Sequence, residues 1–355
     1  MLRSRLEAVL SDPPALLMPF LVSLSVLYRG LSSLHRRLYS SGVLTSRRLP
    51  RPVVSVGNLV AGGGGKTPLT MWLAEKLMAS GVKVAVLTRG YGRLHGGFRI
   101  VREDDSWDIV GDEPALMASK IKGATIAVSK DRFAAGSKVL ENYEVDIFLL
   151  DDGFQHFALD RDLDIVVIDG RRRFGNSKLL PAGILREPVS RLKDADIIVV
   201  TRAPSADKEF ELWLNDYSKA PVFRADYRPL ELSPIGSGEP VSREERPGKP
   251  YLAFCGIAGP DGFRNTLARA DIEVVKMMVF PDHHPYSAQD IDRIVETAER
   301  MEAVGLVTTE KDAMRWPRSK LPLPVYSLSV QPVIEGEDIM LEKILSLVGK
   351  TRGPA

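Results

Sequence analysis

The chain has 355 residues, enough for two ordinary domains and a sizeable core, and its 44% hydrophobic and 26% charged side chains are those of a soluble globular protein. A net charge of +2 holds no basic excess that would call for nucleic acid as a partner. The single cysteine, Cys255, excludes an intramolecular disulfide framework and a cysteine-based zinc site, and it fits a reducing cytoplasmic compartment.

Charge is nevertheless unevenly spread. Residues 1–51 contain Arg3, Arg5, Arg29, Arg36, Arg37, Arg47, Arg48 and Arg51 against only Glu7 and Asp12. Within them, residues 14–28 are strongly apolar, too short for a spanning helix of about 20 residues and interrupted by Pro19. No small-residue cleavage site follows, which argues against a signal peptide. Arg29, His35, Arg36 and Arg37 do follow, and an apolar segment running into a basic one reads as an interfacial helix on anionic lipid. The alternative is a helix packed on the domain core. This N-terminal segment spans 1–45.

Next, Val53, Val54 and Val56 form a β-branched run that reads as a buried strand. It leads through Asn58-Leu-Val-Ala into Gly62, Gly63, Gly64 and Gly65, then Lys66, Thr67 and Pro68, after which Leu69, Trp72, Leu73, Leu77 and Met78 recur at helical spacing. Strand, glycine loop, Lys-Thr and helix is the layout of a phosphate-binding P-loop. Glycines let backbone N–H groups close around phosphate oxygens, and the helix N-terminus adds a positive field. Lys66 would reach the β- and γ-phosphates, and the Thr67 hydroxyl would hold Mg²⁺. The position of the motif's first glycine holds Val60, so Gly62 and Gly63 must supply the flexibility.

Residues 83–87 read as a second strand, ending in Thr88-Arg-Gly-Tyr-Gly92, and residues 98–101 as one arm of a short hairpin. Asp112 opens a helix, and strand 125–128 leads through Arg132 into another that runs to about Tyr143. The apolar strand 146–150 ends in Asp151-Asp152-Gly-Phe-Gln155-His156, and 164–168 and 196–200 repeat its form. Apolar runs alternating with helical stretches make this an α/β chain with a parallel sheet covered on both faces. The P-loop domain covers 46–221. Prolines and glycines break up 222–250, which reads as a connector or small strand pair. A smaller α/β unit, 251–355, has strands at 251–256, 273–280, 305–309 and 324–328, a helix near 287–301 and no glycine loop of its own.

Asp151 and Asp152 occupy the strand-end position where a carboxylate holds Mg²⁺ directly or through water. Gln155 and His156 share that loop and could orient phosphate or water. Asp112 alone could be a helix cap. In Phe280-Pro-Asp282-His283-His284-Pro-Tyr286, a histidine with a carboxylate partner could take a proton from a hydroxyl; a metal site and a satisfied polar turn are the alternatives. Arg132 and Arg186 could neutralise phosphate charge and Glu187 could join the Mg²⁺ shell, with surface salt bridges as the plainer reading. Glu310-Lys311-Asp312 is open in the same way.

Seven stretches occur in order: Ser55-Val-Gly-Asn-Leu with Gly-Lys66-Thr-Pro, Thr88-Arg-Gly-Tyr-Gly, Gly111-Asp-Glu-Pro, Asp151-Asp-Gly-Phe-Gln-His, Leu180-Pro-Ala-Gly-Ile-Leu-Arg-Glu-Pro, Phe280-Pro-Asp-His-His and Thr308-Thr-Glu-Lys-Asp. Together they resemble the tetraacyldisaccharide 4′-kinase (lipid A 4′-kinase) family, from the N-terminal apolar segment to about Leu328. The resemblance implies a P-loop kinase of Gram-negative bacteria that moves the γ-phosphate of ATP to the 4′-hydroxyl of a tetraacylated glucosamine disaccharide 1-phosphate. It acts, as a monomer by default, at the cytoplasmic face of the inner membrane. It further implies two α/β/α domains joined by a two-stranded linker, and a membrane-associated N-terminal helix. Asp112 would orient His283, the base. Lys66 and Thr67 would serve phosphate and Mg²⁺, with Asp151, Asp152 and Glu187 around the metal. Arg132, Gln155 and His156 would be active-site polar groups, and His284 is the neighbour easily confused with His283. Gly64 stands where the family's loop often carries another residue.

The residues support this independently, since acyl chains lose about 0.8 kcal/mol per exposed CH₂ and an enzyme for such a lipid should bring its site to the membrane. A membrane-associated ATPase switch fits less well. Such proteins often carry a second lysine where this chain has Ala61, and they lack an Asp-His-His domain. A kinase for a soluble metabolite would leave the apolar N-terminus without a purpose.

Overall fold

Twelve strands form one continuous sheet in the computed structural model, which describes residues 15–94, 96–202, 207–236, 239–241, 250–317 and 321–349. Arg3, Arg5, Glu7 and Asp12 with the rest of 1–14, and residues 242–249 of the linker, lie outside the described residues. The strands are β1 (Val53–Gly57), β2 (Val84–Thr88), β3 (Arg99–Ile100), β4 (Thr125–Val128), β5 (Ile147–Asp151), β6 (Leu163–Asp169), β7 (Ile197–Thr201), β8 (Val222–Pro234), β9 (Tyr251–Cys255), β10 (Val274–Val279), β11 (Leu306–Thr309) and β12 (Val325–Ile334). Their order across the sheet is β10-β9-β11-β12-β8-β7-β6-β1-β5-β2-β4-β3. Every residue of β1, β2, β5, β7 and β9 is buried, as strands covered by helices on both faces must be.

The P-loop strand β1 lies between β5 and β6, both parallel to it, and Val56 pairs in register with Asp151. The loop after β1 and the carboxylates after β5 therefore open at the same edge of the sheet, where open α/β sheets bind ligands. The hairpin expected at 98–101 does not form. β3 has two residues and pairs antiparallel with β4, whose free edge offers its backbone groups a partner.

The two halves are joined by more than a connector. β8 pairs parallel with β7 over Val222–Ala225 and then antiparallel with β12 over Ala225–Pro234. The second strand of this ribbon comes from β12, about a hundred residues further on, because an antiparallel ladder can recruit any strand that reaches it. The helix Glu337–Leu345 then returns to the P-loop side. Its Met340 and Ile344 are fully buried in the cluster that holds Leu69, Leu73 and Leu77, and Lys76 pairs with Glu337 at 2.6 Å. The last helix thus shares a core with the 46–221 unit although it falls within 251–355.

The N-terminal helix, Met18–Ser40, has Pro19 in its first turn. Pro19 does not interrupt the apolar stretch, because a first-turn N–H has no intrahelical partner to lose. One face of the helix is tied down. The Ser25 hydroxyl donates to the Leu179 carbonyl, Tyr28 O–H to the Arg186 carbonyl at 3.0 Å, and Arg36 to Glu187 at 3.1 Å. Phe20, Leu24, Leu27, Leu31 and Leu34, spaced by three and four, form an exposed apolar stripe on another face. Among the described residues, no helix is long and apolar enough to cross a membrane.

Candidate active site

The P-loop takes its shape from glycines in the left-handed region. Gly62 has φ +93° and Gly65 φ +87°, and Gly65 is the residue before the helix Lys66–Ala79. A Cβ on Gly65 would collide with the hydroxyl of Tyr227, which donates to the Gly65 carbonyl at 2.8 Å. A Cβ on Gly63 would make ordinary contact with Ala258, and Gly64 faces Asn58. Gln155 is half-buried: its Nε2 donates to the Asn58 carbonyl at 2.7 Å and so holds the approach to the loop.

At the mouth of this loop, the two adjacent aspartates are in different states. Asp151 is 1% exposed and accepts from Thr70 at 3.2 Å. Burial, with the charges of Glu113 and Asp152, pushes its carboxyl up to about 7, against the opposing effects of Lys66 and Thr70. Asp152 has φ +52°, a strained conformation for a residue with a side chain, and it meets Lys66 at 3.3 Å and Arg186 at 2.9 Å. Burial opposes its charge, but Lys66 and Arg186 outweigh it and hold the carboxyl at about 2. Thr70, four residues after Lys66, was not singled out by sequence. Its i, i+4 position under the loop lysine was the available signal.

Glu187 has partners of its own. Arg186 and Glu187 follow each other on a segment hydrogen-bonded to Leu59, yet their side chains part. Arg186 reaches Asp152, whereas Glu187 is held by Arg36 at 3.1 Å and Arg191 at 3.7 Å. Burial raises the Glu187 carboxyl, with Arg191, Arg36 and His35 opposing. Among the described residues, no three His, Cys, Asp or Glu side chains cluster as a metal cage. That suits Mg²⁺ on a nucleotide, which takes one or two carboxylates and fills its shell with water and phosphate oxygens. Thr67 at the helix start and the buried carboxyl of Asp151, which has no ion-pair partner of its own among the described residues, beside Asp152, form such a donor set.

Arg132 is 6% exposed, and its Nη1 donates to the Lys130 carbonyl at 3.1 Å and approaches His156 Nδ1 at 3.4 Å. Burial and Arg89 lower Arg132 to about 10, still cationic at neutral pH, while Asp152, Asp151 and Asp131 oppose the shift. Burial and the charges of Arg132 and Arg161 bring His156 down to about 4, despite Asp131, so this ring is neutral.

The sheet brings together a second group from residues 171 positions apart in sequence. His283 Nδ1 lies 2.9 Å from Asp112 Oδ2 and 3.1 Å from Oδ1. Asp112 is the first residue of the helix Asp112–Lys120, and its Oδ1 also accepts the first-turn Glu113 N–H at 2.9 Å. Arg315 Nε stands 3.4 Å from Asp112 Oδ2. Burial works against the Asp112 charge, but the hydrogen bond from His283 and the charges of Lys311, His283 and Arg315 hold its carboxyl below the usual range. His283 has φ +57° and its ring packs on Tyr91, with centroids 4.8 Å apart. His284 turns the other way, onto Asp290 at 3.0 Å, where Ser287 and Asp290 cap the next helix. Geometry therefore separates the two histidines.

Residues 17–348 match the family model of the tetraacyldisaccharide-1-P 4′-kinase. A tetraacyldisaccharide 4′-kinase of Pelobacter propionicus is 41% identical over 313 residues, covering 86% of this chain and 85% of that protein. One of Geobacter sulfurreducens is 37% identical over 351 residues, covering 96% and 94%. The crystal structure of the "apo" form LpxK from Aquifex aeolicus in complex with ATP matches with a TM-score of 0.75 at 33% identity, covering 94% of this chain and 98% of that one.

Proposed function

We propose a mechanism from one premise: the chain belongs to the tetraacyldisaccharide-1-phosphate 4′-kinase family. It is an ATP-dependent kinase of lipid A biosynthesis, transferring a phosphoryl group to the 4′-hydroxyl of a tetraacylated disaccharide 1-phosphate to give lipid IVA. In our reading, the glycine loop and Lys66 hold the β- and γ-phosphates, and Arg132 and Arg186 supply further positive charge. Thr67 with the Asp151–Asp152 pair would hold Mg²⁺, which when bound neutralises charge on the phosphate oxygens. Gln155 keeps the loop in shape, and neutral His156 orients Arg132. Glu187 acts at one remove, through Arg36 and Arg191.

His283 takes the proton of the acceptor hydroxyl and Asp112 orients its ring. The contact between them carries this reading, because a histidine polarised by a buried ionised carboxylate is the arrangement a general base requires. Phosphate transfer to the tetraacylated disaccharide 1-phosphate in detergent micelles tests it. His283→Ala should lose about 10²–10⁴-fold in kcat while still binding ATP. Full transfer by the variant would remove His283 from the chemistry, and steady ATP hydrolysis without transfer by the intact chain would favour an ATPase.

The exposed stripe of the N-terminal helix would lie on the lipid surface, at the cytoplasmic face of the inner membrane, with 1–45 as the membrane segment. Each leucine that enters lipid is worth about 1.5–3 kcal/mol. Leu24→Glu with Leu31→Glu should abolish sedimentation with phosphatidylglycerol vesicles; unchanged sedimentation would assign this face to another contact. One chain supplies both Asp112 and His283, so a monomer suffices, with the P-loop unit 46–221 joined through the β8–β12 ribbon to a smaller unit that begins at 251 and ends before the helix Glu337–Leu345, which packs on the P-loop side.

A further inference from the structure

The stretch Thr308-Thr-Glu-Lys-Asp312 has no part in that mechanism, yet its Lys311 touches His283 and its Asp312 holds Arg315 beside Asp112. Lys311 Nζ lies 3.1 Å from Glu113 Oε1, 3.1 Å from His283 Nε2 and 3.6 Å from Asp282 Oδ1. Burial works against the lysine's charge, but Glu113, Asp112 and Asp282 outweigh it and hold its pKa above the ordinary value. The group is therefore an ammonium, which has three donors and no acceptor. At this contact the imidazole must accept. Nε2 then carries the lone pair, and Nδ1 carries the proton that it donates to Asp112.

This is the tautomer a base acting through Nε2 requires, but the ammonium occupies the place the acceptor hydroxyl must reach. Arg315, the other cation of the group, cannot move aside. Its side chain is 0% exposed and is fixed by Asp312 at 2.5 Å, the Gly256 carbonyl at 3.0 Å and the His284 carbonyl at 3.2 Å. Lys311 is anchored only by side chains and has two carboxylates to fall back on.

We propose that Lys311 is a positioning residue for phosphoryl transfer: it holds His283 in the Nδ1–H tautomer and guards the Nε2 lone pair until an incoming hydroxyl displaces its ammonium onto Glu113 and Asp282. The inference rests on the reading of Asp112–His283 as the proton-accepting pair. In the step that follows, the acceptor O–H bond breaks and its proton goes to Nε2, giving an imidazolium whose Nδ1–H stays on Asp112. The acceptor oxygen bonds to the γ-phosphorus of ATP as the bond to the bridging oxygen breaks, ADP leaves, and the imidazolium returns its proton to solvent. Lys311 loses no proton.

The test is ¹⁵N NMR of the full chain labelled at its histidine rings, without ligand, with the His283 signals assigned through His283→Gln. The wild type should show a protonated Nδ1 and an unprotonated Nε2. Lys311→Met should bring in the second tautomer and lower kcat about tenfold to a hundredfold, part of what a positioned base supplies, at unchanged KM for ATP. Lys311→Arg should restore the tautomer and part of the rate. A protonated Nε2 in the wild type, or wild-type spectra and kcat in Lys311→Met, would overturn the proposal. If Lys311→Met fails to fold by circular dichroism, Glu113→Gln carries the test. It should raise KM for the lipid acceptor several-fold and leave that for ATP alone, and an unchanged acceptor KM would count against Lys311. Full transfer by His283→Ala would instead remove the base assignment while the tautomer result stood.

Discussion

Asp151 and Asp112 are both buried carboxylates at strand or helix ends, yet they are in opposite electrostatic states. Asp151 is pushed up to about 7 because burial and two neighbouring carboxylates outweigh Lys66, which Asp152 already engages. Asp112 is held below the usual range because His283, Lys311 and Arg315 reach it from the other half of the chain. The nucleotide site thus leaves Asp151 to be neutralised by a proton or by a cation from solution. The acceptor site is supplied with its cations by the fold.

The largest expected break in this comparison is Asp112→Asn. The amide cannot keep His283 in the Nδ1–H tautomer as a carboxylate does, so kcat should fall about 10²–10⁴-fold with ATP affinity retained, as measured by transfer and nucleotide titration. A loss below fivefold would mean that the carboxylate does not set the ring.

Arg315→Met should be the next largest, and it reads stability. It leaves Asp112 and Asp312 buried without their shared guanidinium, which should cost about 3–5 kcal/mol in urea unfolding. The same substitution at Arg186, whose carboxylate partner keeps Lys66 and is 37% exposed, should cost far less. Equal losses would dissolve the distinction between the two sites.

The smallest effect is a pH slope. The folded-state pKa of Asp151 is raised, so the unfolded chain releases this proton first as pH rises. Its stabilising contribution is complete below pH about 4, the unfolded value, and is lost as pH rises through about 7. Metal-free Asp151→Asn should therefore lack that decline in Tm between pH 5 and 8. Mg²⁺ needs the ionised carboxylate, so the affinity of the wild type for Mg²⁺ with a non-hydrolysable nucleotide should fall up to about tenfold per pH unit below 7. Parallel Tm curves for wild type and variant would show that Asp151 is not the group titrating.

Local chemistry made much of the nucleotide site legible. Val53–Val56, four glycines and Lys66-Thr67 could form little other than a strand, a loop and a helix start, and an apolar strand ending in Asp151-Asp152 places carboxylates at a sheet edge whatever lies beside it. The amphipathic N-terminus was legible as well, although Pro19 begins its helix instead of breaking it. The acceptor site was legible only through the ordered family motifs. Taken as residues, Asp112 was as good a cap as a catalyst, and His283 and His284 were indistinguishable.

By itself, then, the sequence determined the α/β class, the phosphate loop and the strand-end acids, because each depends on residues within a turn or two of one another. Only the tertiary structure decided that the partner of β8 is β12, that Glu337–Leu345 belongs to the core of the P-loop side, and that Glu187 faces Arg36 and Arg191. It set His283, not His284, against Asp112, a pairing the family motifs implied and the residues by themselves left open, through a left-handed backbone at His283 and a contact spanning 171 positions. Hydrophobic periodicity records which face of an element is buried, but it carries no information about what that face meets. Side chains brought together by sheet order and by compensation of buried charge become neighbours only when the whole chain has folded.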